Sequence, residues 1–208
     1  MFPEDYDINC ARLIRLWIAE GFVKKMQGIT LEEVAQGYLN QLIHRSLVQV
    51  DVVDSIGRTR SCRIHDMMLK NYPNFNGIAR RLSIQNNVKT HLQSAIISQT
   101  RSILILGLDE VPNSFLMTCF ANFKLMKVMD FEGAPIDCIP KEVGSLFHLR
   151  YLSLKDTKVQ ILPKSIGKSY NLETLNLKNS LVYELPAEIS GLCKLRYLAA
   201  YNFNRDNK

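Results

Sequence analysis

The stretch Leu149-Arg-Tyr-Leu-Ser-Leu, which ends at residue 154, decides the fold of most of this 208-residue chain. It places leucines in an L-x-x-L-x-L frame, and the same frame starts again at Met126, Leu172 and Leu195, each time 23 residues apart. Two further columns keep this step: Ile136, Val159 and Val182, and the apolar-proline pairs Ile139-Pro140, Leu162-Pro163 and Leu185-Pro186. Several columns in one register indicate an internal repeat.

The apolar positions of this frame predict a stack of short strands. Alternating side chains leave a strand on opposite faces, and one such unit cannot bury its apolar face without neighbours. We therefore predict an α/β leucine-rich-repeat solenoid with 23-residue repeats over residues 80–208. Less regular strands are expected at residues 80–84 and 100–106, and the array is expected to be truncated after Leu195.

The residues between the apolar positions define a candidate recognition face. On a rigid concave sheet, tyrosine and arginine are favoured anchors for protein partners. An ordinary solvated face without a ligand remains the alternative. The predicted face comprises Lys127, Val128, Asp130, Arg150, Tyr151, Ser153, Glu173, Thr174, Asn176, Arg196 and Tyr197.

Residues 1–70 have helical patterning and no repeat. Ile14, Trp17 and Ile18 form an apolar stripe that ends near Gly21, and a second helix opens with a capping box at Thr30. Two β-rich segments, 47–53 and 61–64, then flank a turn. Helix, helix and hairpin predict an α+β winged-helix domain that lacks its first element, followed by a short linker at residues 71–79.

Charge argues against nucleic acid as the partner of the winged helix. Residues 1–70 carry nine basic and nine acidic side chains, and Glu32 and Glu33 at the start of the second helix would repel phosphate. A winged helix that binds DNA is therefore the less favoured alternative. The five cysteines show no metal-ligand spacing and are expected to be reduced, and no nucleophile motif is present. We predict a protein that is not an enzyme and holds no metal.

Four ordered motifs resemble one protein family. They are Phe2-Pro-Glu-Asp-Tyr, the segment from Arg12 to Phe22, the segment from Leu39 to Gln49, and Arg63-Ile-His-Asp. Together with the repeats, they resemble the nucleotide-binding leucine-rich-repeat disease resistance proteins of plants, in particular the coiled-coil class. The chain resembles a fragment of such a receptor, comprising the winged helix and the first repeats.

The resemblance implies a nucleotide-sensing motif at Ile64, His65 and Asp66, where the histidine of the family contacts bound ADP in the full-length receptor. The chain contains no G-x-x-x-x-G-K-[ST] phosphate loop. We therefore expect no cofactor for this chain alone, with ADP or ATP relevant only in full-length relatives. The linker is also shorter than in the family, which puts the usual domain docking in doubt.

The resemblance further implies a role in innate immunity. The expected partner is a protein: a pathogen effector, a guarded host protein, or the rest of a receptor. A free-standing adaptor or decoy without a nucleotide switch is the alternative. No apolar run is long enough to span a membrane and no signal peptide is visible, so a cytoplasmic location is expected. Apolar surface at both ends predicts self-association.

Overall fold

The chain folds into two units, Met1–Asn76 and Gly77–Lys208, each of which is described by itself. The computed structural model describes residues 2, 6–64, 80–85 and 99–201. The predicted linker at residues 71–79 lies outside the described residues. Within the described residues, no helix is long and apolar enough to cross a membrane.

Two helices form the centre of the first unit. The first, α1, spans Cys10–Glu20 and ends at Gly21, whose φ of 85° is the left-handed conformation that glycine adopts without steric cost. The second, α2, spans Leu31–His44 and begins at Thr30. Ile14 and Ile18 of α1 pack with Ala35 of α2, so the predicted apolar stripe is the contact between the helices.

A three-stranded antiparallel sheet completes this unit. Its strands are β1 (Ile8–Asn9), β2 (Val48–Val53) and β3 (Thr59–Ile64), and their order is β1-β3-β2. The hairpin of β2 and β3 was predicted, whereas β1 was not, because two residues are too few to show a periodic pattern. The strand-helix-helix-hairpin order is that of a winged helix, in agreement with the prediction.

The capping box at the start of α2 provides a first test of the local energetics. The Thr30 hydroxyl accepts a hydrogen bond from the backbone N–H of Glu33, while the Glu33 carboxylate accepts from the Thr30 backbone N–H at 2.8 Å. The Glu33 carboxylate accepts hydrogen bonds from the hydroxyl and the backbone N–H of Thr30, and these bonds lower the pKa of Glu33 below its ordinary value of 4.5. The box therefore depends on an ionised carboxylate.

Replacing Thr30 with alanine is expected to lower the free energy of unfolding of the first unit by about 1 kcal/mol at neutral pH. A carboxyl group whose pKa is lowered by folding stabilises the folded state above its unfolded pKa, and that contribution is lost as the pH falls through the lowered value. The difference between wild type and variant should therefore shrink below the ordinary pKa of 4.5. Urea unfolding at neutral and acidic pH measures it, and an equal difference at both would contradict the account.

The second unit is a parallel sheet of six strands whose order follows the chain. The first two are β4 (Arg81–Gln85) and β5 (Ser102–Leu106), as predicted. The next four fall on the 23-residue frame: β6 (Val128–Asp130), β7 (Tyr151–Ser153), β8 (Thr174–Asn176) and β9 (Tyr197–Ala199). This architecture confirms the predicted leucine-rich-repeat solenoid.

The core of this unit is continuous from one repeat to the next. Met129, Leu152 and Leu175 occupy one column of the sheet register and are completely buried, whereas Leu198, in the last described strand of this column, is 42% exposed. The residues of this column are therefore buried by the neighbouring repeats, which is the behaviour expected of a solenoid.

The return segment of each repeat contains a short 3-10 helix. These helices span Lys141–Ser145, Lys164–Lys168 and Ala187–Gly191, each directly after the proline of the repeat. Proline has its φ fixed near the value a helix start requires, and it lacks an N–H that would have no partner there. The proline column of the repeat therefore marks the start of this helix.

In the part of the repeat unit that the structure describes, one α-helix precedes the regular repeats. It is α3 (Asn113–Asn122), between β5 and β6, and it buries Phe115, Leu116, Cys119 and Phe120 in the common core. This helix was not predicted. The sheet register aligns Arg81, Ser102 and Val128, which are 21 and 26 residues apart. The fixed 23-residue frame therefore does not extend to the part of the chain that contains this helix.

Candidate recognition surface

The sheet register arranges the predicted recognition residues in three columns. The first column, immediately before each strand, contains Lys127, Arg150, Glu173 and Arg196. The second contains Val128, Tyr151, Thr174 and Tyr197, and the third contains Asp130, Ser153 and Asn176. The structure therefore brings all of these residues together on β6 to β9.

A repeated backbone contact fixes the first column, which we call the edge column. The carbonyl of Lys127 accepts hydrogen bonds from the N–H groups of Arg150 and Tyr151, at 2.8 and 3.0 Å. The carbonyls of Arg150 and Glu173 accept the equivalent pairs from the next repeat. Because every residue of the column is held by the same backbone contact, its backbone positions are spaced by one strand separation, about 4.8 Å.

The same contact extends the edge column to two residues that the sequence analysis missed. The Arg80 carbonyl accepts from the N–H groups of Arg101 and Ser102, and the Arg101 carbonyl accepts from those of Lys127 and Val128. The complete edge column is therefore Arg80, Arg101, Lys127, Arg150, Glu173 and Arg196. Arg80 and Arg101 lie at the start of the two strands expected at residues 80–84 and 100–106, and this signal would have found them without a fixed repeat length.

The edge column is predominantly basic and accessible. Five of its six residues are arginine or lysine, and all six are half-buried or exposed. Within it, the Arg150 guanidinium lies 3.8 Å from the Glu173 carboxylate, with 40% of the Arg150 side chain exposed. An ion pair this close to the surface contributes little to stability.

The second and third columns are less accessible than predicted. Asp130, Tyr151, Ser153, Thr174 and Asn176 are all buried, as is Val128, whereas Tyr197 is half-buried. The alternation of a strand determines the face on which a side chain lies but not whether that face is covered. The role of these residues in partner binding therefore stays a prediction.

Two of these buried side chains form local hydrogen bonds. The Asp130 carboxylate accepts from the backbone N–H of Glu132, and the Asn176 side-chain oxygen accepts from that of Lys178, both at 3.2 Å. The bonds occur at the same position of two repeats, where the chain leaves the strand. Both residues therefore help to form the turn that follows the strand. From the sequence they were predicted only as partner-binding residues.

Charged residues also follow the strands. Lys155 pairs with Glu132 of the preceding repeat and lies 3.3 Å from Asp156. Partial burial alone would lower the pKa of Lys155, but the hydrogen bond and charge of Glu132, together with Asp156, raise it above its ordinary value. Lys155 is therefore a fixed positive charge held by acids of this chain.

The predicted nucleotide-sensing motif is only partly described. Ile64 is the last residue of β3, pairs with Val48 of β2 and is half-buried. His65 and Asp66 lie outside the described residues. Their role in nucleotide sensing therefore stays a prediction. Among the described residues, no group of histidine, cysteine, aspartate or glutamate side chains could hold a metal ion.

Comparison with known proteins agrees with this architecture. A family model described as the winged helix domain of disease resistance proteins matches residues 1–70, and one described as a leucine-rich repeat region matches residues 99–206. The chain also resembles a solved structure of a leucine-rich-repeat protein from Leptospira interrogans, with 28% identity and a TM-score of 0.44 over 52% of this chain and 27% of that one.

Three curated relatives illustrate the similarity. A late blight resistance protein homolog of Solanum demissum, R1B-14, is 36% identical over 73% of this chain and 13% of its own length. An RPP13-like disease resistance protein of Arabidopsis thaliana is 31% identical over 76% of this chain and 21% of its own length. The disease resistance protein PIK6-NP of Oryza sativa subsp. japonica is 32% identical, over 76% and 17% respectively.

The fold and the matched models define a class: a winged-helix domain followed by leucine-rich repeats. The chain belongs to the nucleotide-binding leucine-rich-repeat disease resistance proteins of plants. It spans less than a quarter of the length of each of these three relatives.

Proposed function

We propose that this chain is the part of a plant innate immune receptor that recognises a protein partner through its leucine-rich repeats. The partner is a pathogen effector or a host protein on which an effector acts. The observation that carries the proposal is the edge column. It is a row of accessible charged side chains on a rigid parallel sheet, a kind of surface that recognises proteins without the reorganisation cost of a flexible loop.

The composition of the edge column specifies the chemistry of the partner. Five basic residues and one acidic residue favour a partner surface on which acidic groups predominate and one basic group faces Glu173. Tyr197, half-buried beside Arg196, supplies an aromatic contact of the kind enriched in protein interfaces. Such a partner would associate faster and bind more strongly at low ionic strength.

The winged helix has a second proposed role, in keeping a full-length receptor inactive. In that setting His65 would contribute a hydrogen bond to bound ADP, since an imidazole can donate to a phosphate oxygen. The support is the family resemblance of residues 63–66 together with the position of Ile64 at the end of β3. For the chain alone we propose no nucleotide binding, and micromolar ADP affinity in a calorimetric titration would overturn that statement.

Charge reversal of the edge column tests the recognition proposal. The epitope-tagged chain and its Arg150→Glu/Arg196→Glu variant are expressed in leaves, and the captured proteins are quantified by mass spectrometry. The partner is the protein that is captured with the wild-type chain. We expect about tenfold less of it to be recovered with the variant, because each reversed charge faces acidic groups of the partner. Recovery by the wild type should also decrease as salt is raised during washing.

A matched control separates this effect from net charge. The Lys158→Glu/Lys168→Glu variant carries the same change in charge on exposed side chains of the repeat that contains Arg150, away from the strand starts. Its recovery of the partner should equal that of the wild type. Equal recovery by the edge-column variant, or an equal loss in the control, would refute recognition through this column.

A further inference from the structure

Two cysteines of the first unit lie in direct contact. Cys10 is the first residue of α1, and Cys62 lies in β3 opposite Ile8 of β1. Both are free thiols and both are buried, with 2% and 0% of their surface exposed. The Cys62 side chain forms a hydrogen bond with that of Cys10. Neither the winged-helix fold nor partner recognition requires a pair of thiols at this position.

We propose that Cys10 and Cys62 form a redox modification site, at which a peroxide converts the two hydrogen-bonded thiols into a disulfide bond. The inference is independent of the proposed recognition function. The product would join the start of α1 to β3, two elements that already pack around β1. The two sulfurs that the disulfide would join are already hydrogen-bonded to each other.

The environment of the pair distinguishes the attacking sulfur from its partner. The hydrogen bond from Cys62 lowers the pKa of Cys10, although burial and the charge of Asp7 act in the opposite direction. The same hydrogen bond and burial raise the pKa of Cys62. Cys10 also stands at the amino terminus of α1, where the helix dipole favours a thiolate. Cys10 is therefore the nucleophile.

The reaction proceeds in two balanced steps. The Cys10 thiolate attacks one peroxide oxygen, so that an S–O bond forms, the O–O bond breaks, and Cys10 becomes a sulfenic acid while hydroxide leaves. The Cys62 sulfur then attacks the Cys10 sulfur; an S–S bond forms, the S–O bond breaks, and the departing hydroxide takes the Cys62 proton as water. The two thiols lose two electrons, and the peroxide oxygens gain them.

The peroxide can reach Cys10 because β1, the strand directly before it, is short. This strand contains only Ile8 and Asn9, and only two residue pairs join it to β3. Short edge elements with few ladder hydrogen bonds open locally far more often than the whole unit unfolds. Local opening at β1 would expose Cys10 to a small oxidant while β3 stays in the sheet with β2.

Peptide mapping of the full chain tests the proposal. The protein carries Cys138→Ser and Cys193→Ser, which remove the two exposed thiols and leave Cys10, Cys62 and Cys119. It is treated with hydrogen peroxide, unfolded, alkylated with iodoacetamide and digested with trypsin. We expect the peptide that ends at Arg12 to be joined to Ser61-Cys-Arg63, with a mass lower by two hydrogens than the two reduced peptides together.

Cys119 is the internal control. It is completely buried in the second unit, where burial alone raises its pKa. It should therefore remain reduced and be fully alkylated at peroxide doses that pair Cys10 with Cys62. If Cys10 and Cys62 were alkylated as completely as Cys119, the proposal would be overturned. When the chain is unfolded in guanidinium before oxidation, the preference for the Cys10–Cys62 pair should disappear.

A second variant tests the order of the steps. With Cys62→Ser the chain has no resolving thiol, and a dimedone adduct is expected at Cys10 after peroxide treatment. An adduct at Cys62 in the Cys10→Ser variant, with no adduct at Cys10 in the Cys62→Ser variant, would contradict the assigned nucleophile. In the chain that keeps both Cys10 and Cys62, the disulfide should raise the unfolding temperature of the first unit by several degrees, because it closes a loop of about 50 residues. Reduction with dithiothreitol should reverse this increase. This last measurement requires no variant of either cysteine.

Discussion

Leu175→Ala is expected to destabilise the repeat unit by about 2–5 kcal/mol, the cost of removing a completely buried leucine and leaving a cavity. Leu175 is 0% exposed and lies between Leu152 and Leu198 in the register of the sheet. Its side chain belongs to a core that extends from the first strands to the last repeats. The free energy of unfolding, measured by urea denaturation with a secondary-structure signal, gives the cost directly.

The same column supplies the control. Leu198→Ala changes the same residue type at the equivalent position of the next repeat, but Leu198 is 42% exposed. Its cost should be clearly smaller, because less apolar surface returns to water and no closed cavity forms. Equal costs for the two variants would mean that the repeats do not bury each other as described here.

Gly167→Ala is expected to have the second largest effect, about 1–3 kcal/mol or more. A Cβ atom at Gly167 would lie 2.4 Å from the backbone carbonyl oxygen of Glu188 and 2.7 Å from its Cβ. Gly144 stands one repeat earlier in the same relation to Ser165, also at 2.4 Å from the carbonyl oxygen. Because the opposing atoms include the backbone of the next repeat, a methyl group requires the repeats to separate.

Gly191→Ala is the matched control for this substitution. Gly191 also belongs to a 3-10 helix, and the nearest atom to an added Cβ is a carbonyl oxygen at 3.5 Å, an ordinary contact. The two alanine variants are compared by thermal and urea unfolding. A loss of stability with Gly191→Ala as large as that with Gly167→Ala would show that close packing of the repeats does not determine the effect.

The strands of the repeat unit were predictable because the sequence repeats its own geometry. The frame that begins at Met126 places a strand at each recurrence, and the structure pairs those strands in the same register. The turn after each strand follows the same step. Asp156 and Asn179 have φ values of 56° and 55°, and Gly133 has 72° at the equivalent position. These are residue types that tolerate the left-handed region, so this column too was visible in the sequence.

The accessibility of the candidate site was not predictable in the same way. Periodicity distinguishes the two faces of a strand, but the burial of Tyr151 and Ser153 depends on what lies over the second face, which a local pattern does not contain. The edge column was only partly predicted for a related reason. Arg80 and Arg101 precede β4 and β5, where the repeat length departs from 23 residues.

The contact between Cys10 and Cys62 is a third feature that the sequence does not predict. They are far apart in the sequence, and their contact depends on β1, a strand too short for any periodic signal. The sequence therefore gave no reason to consider them together. The pairing of Ile8 with Cys62 places the start of α1 beside β3, and only this tertiary contact makes the two thiols neighbours.

Arginine footprinting of the chain bound to its captured partner tests recognition through the edge column most directly. A dicarbonyl reagent modifies accessible guanidinium groups, and the rates at each arginine are compared with and without the partner. We predict strong protection of Arg150 and Arg196, with unchanged rates at Arg58 and Arg60, which are exposed residues of the first unit. Unchanged rates at Arg150 and Arg196 in a complex that remains intact would contradict the account.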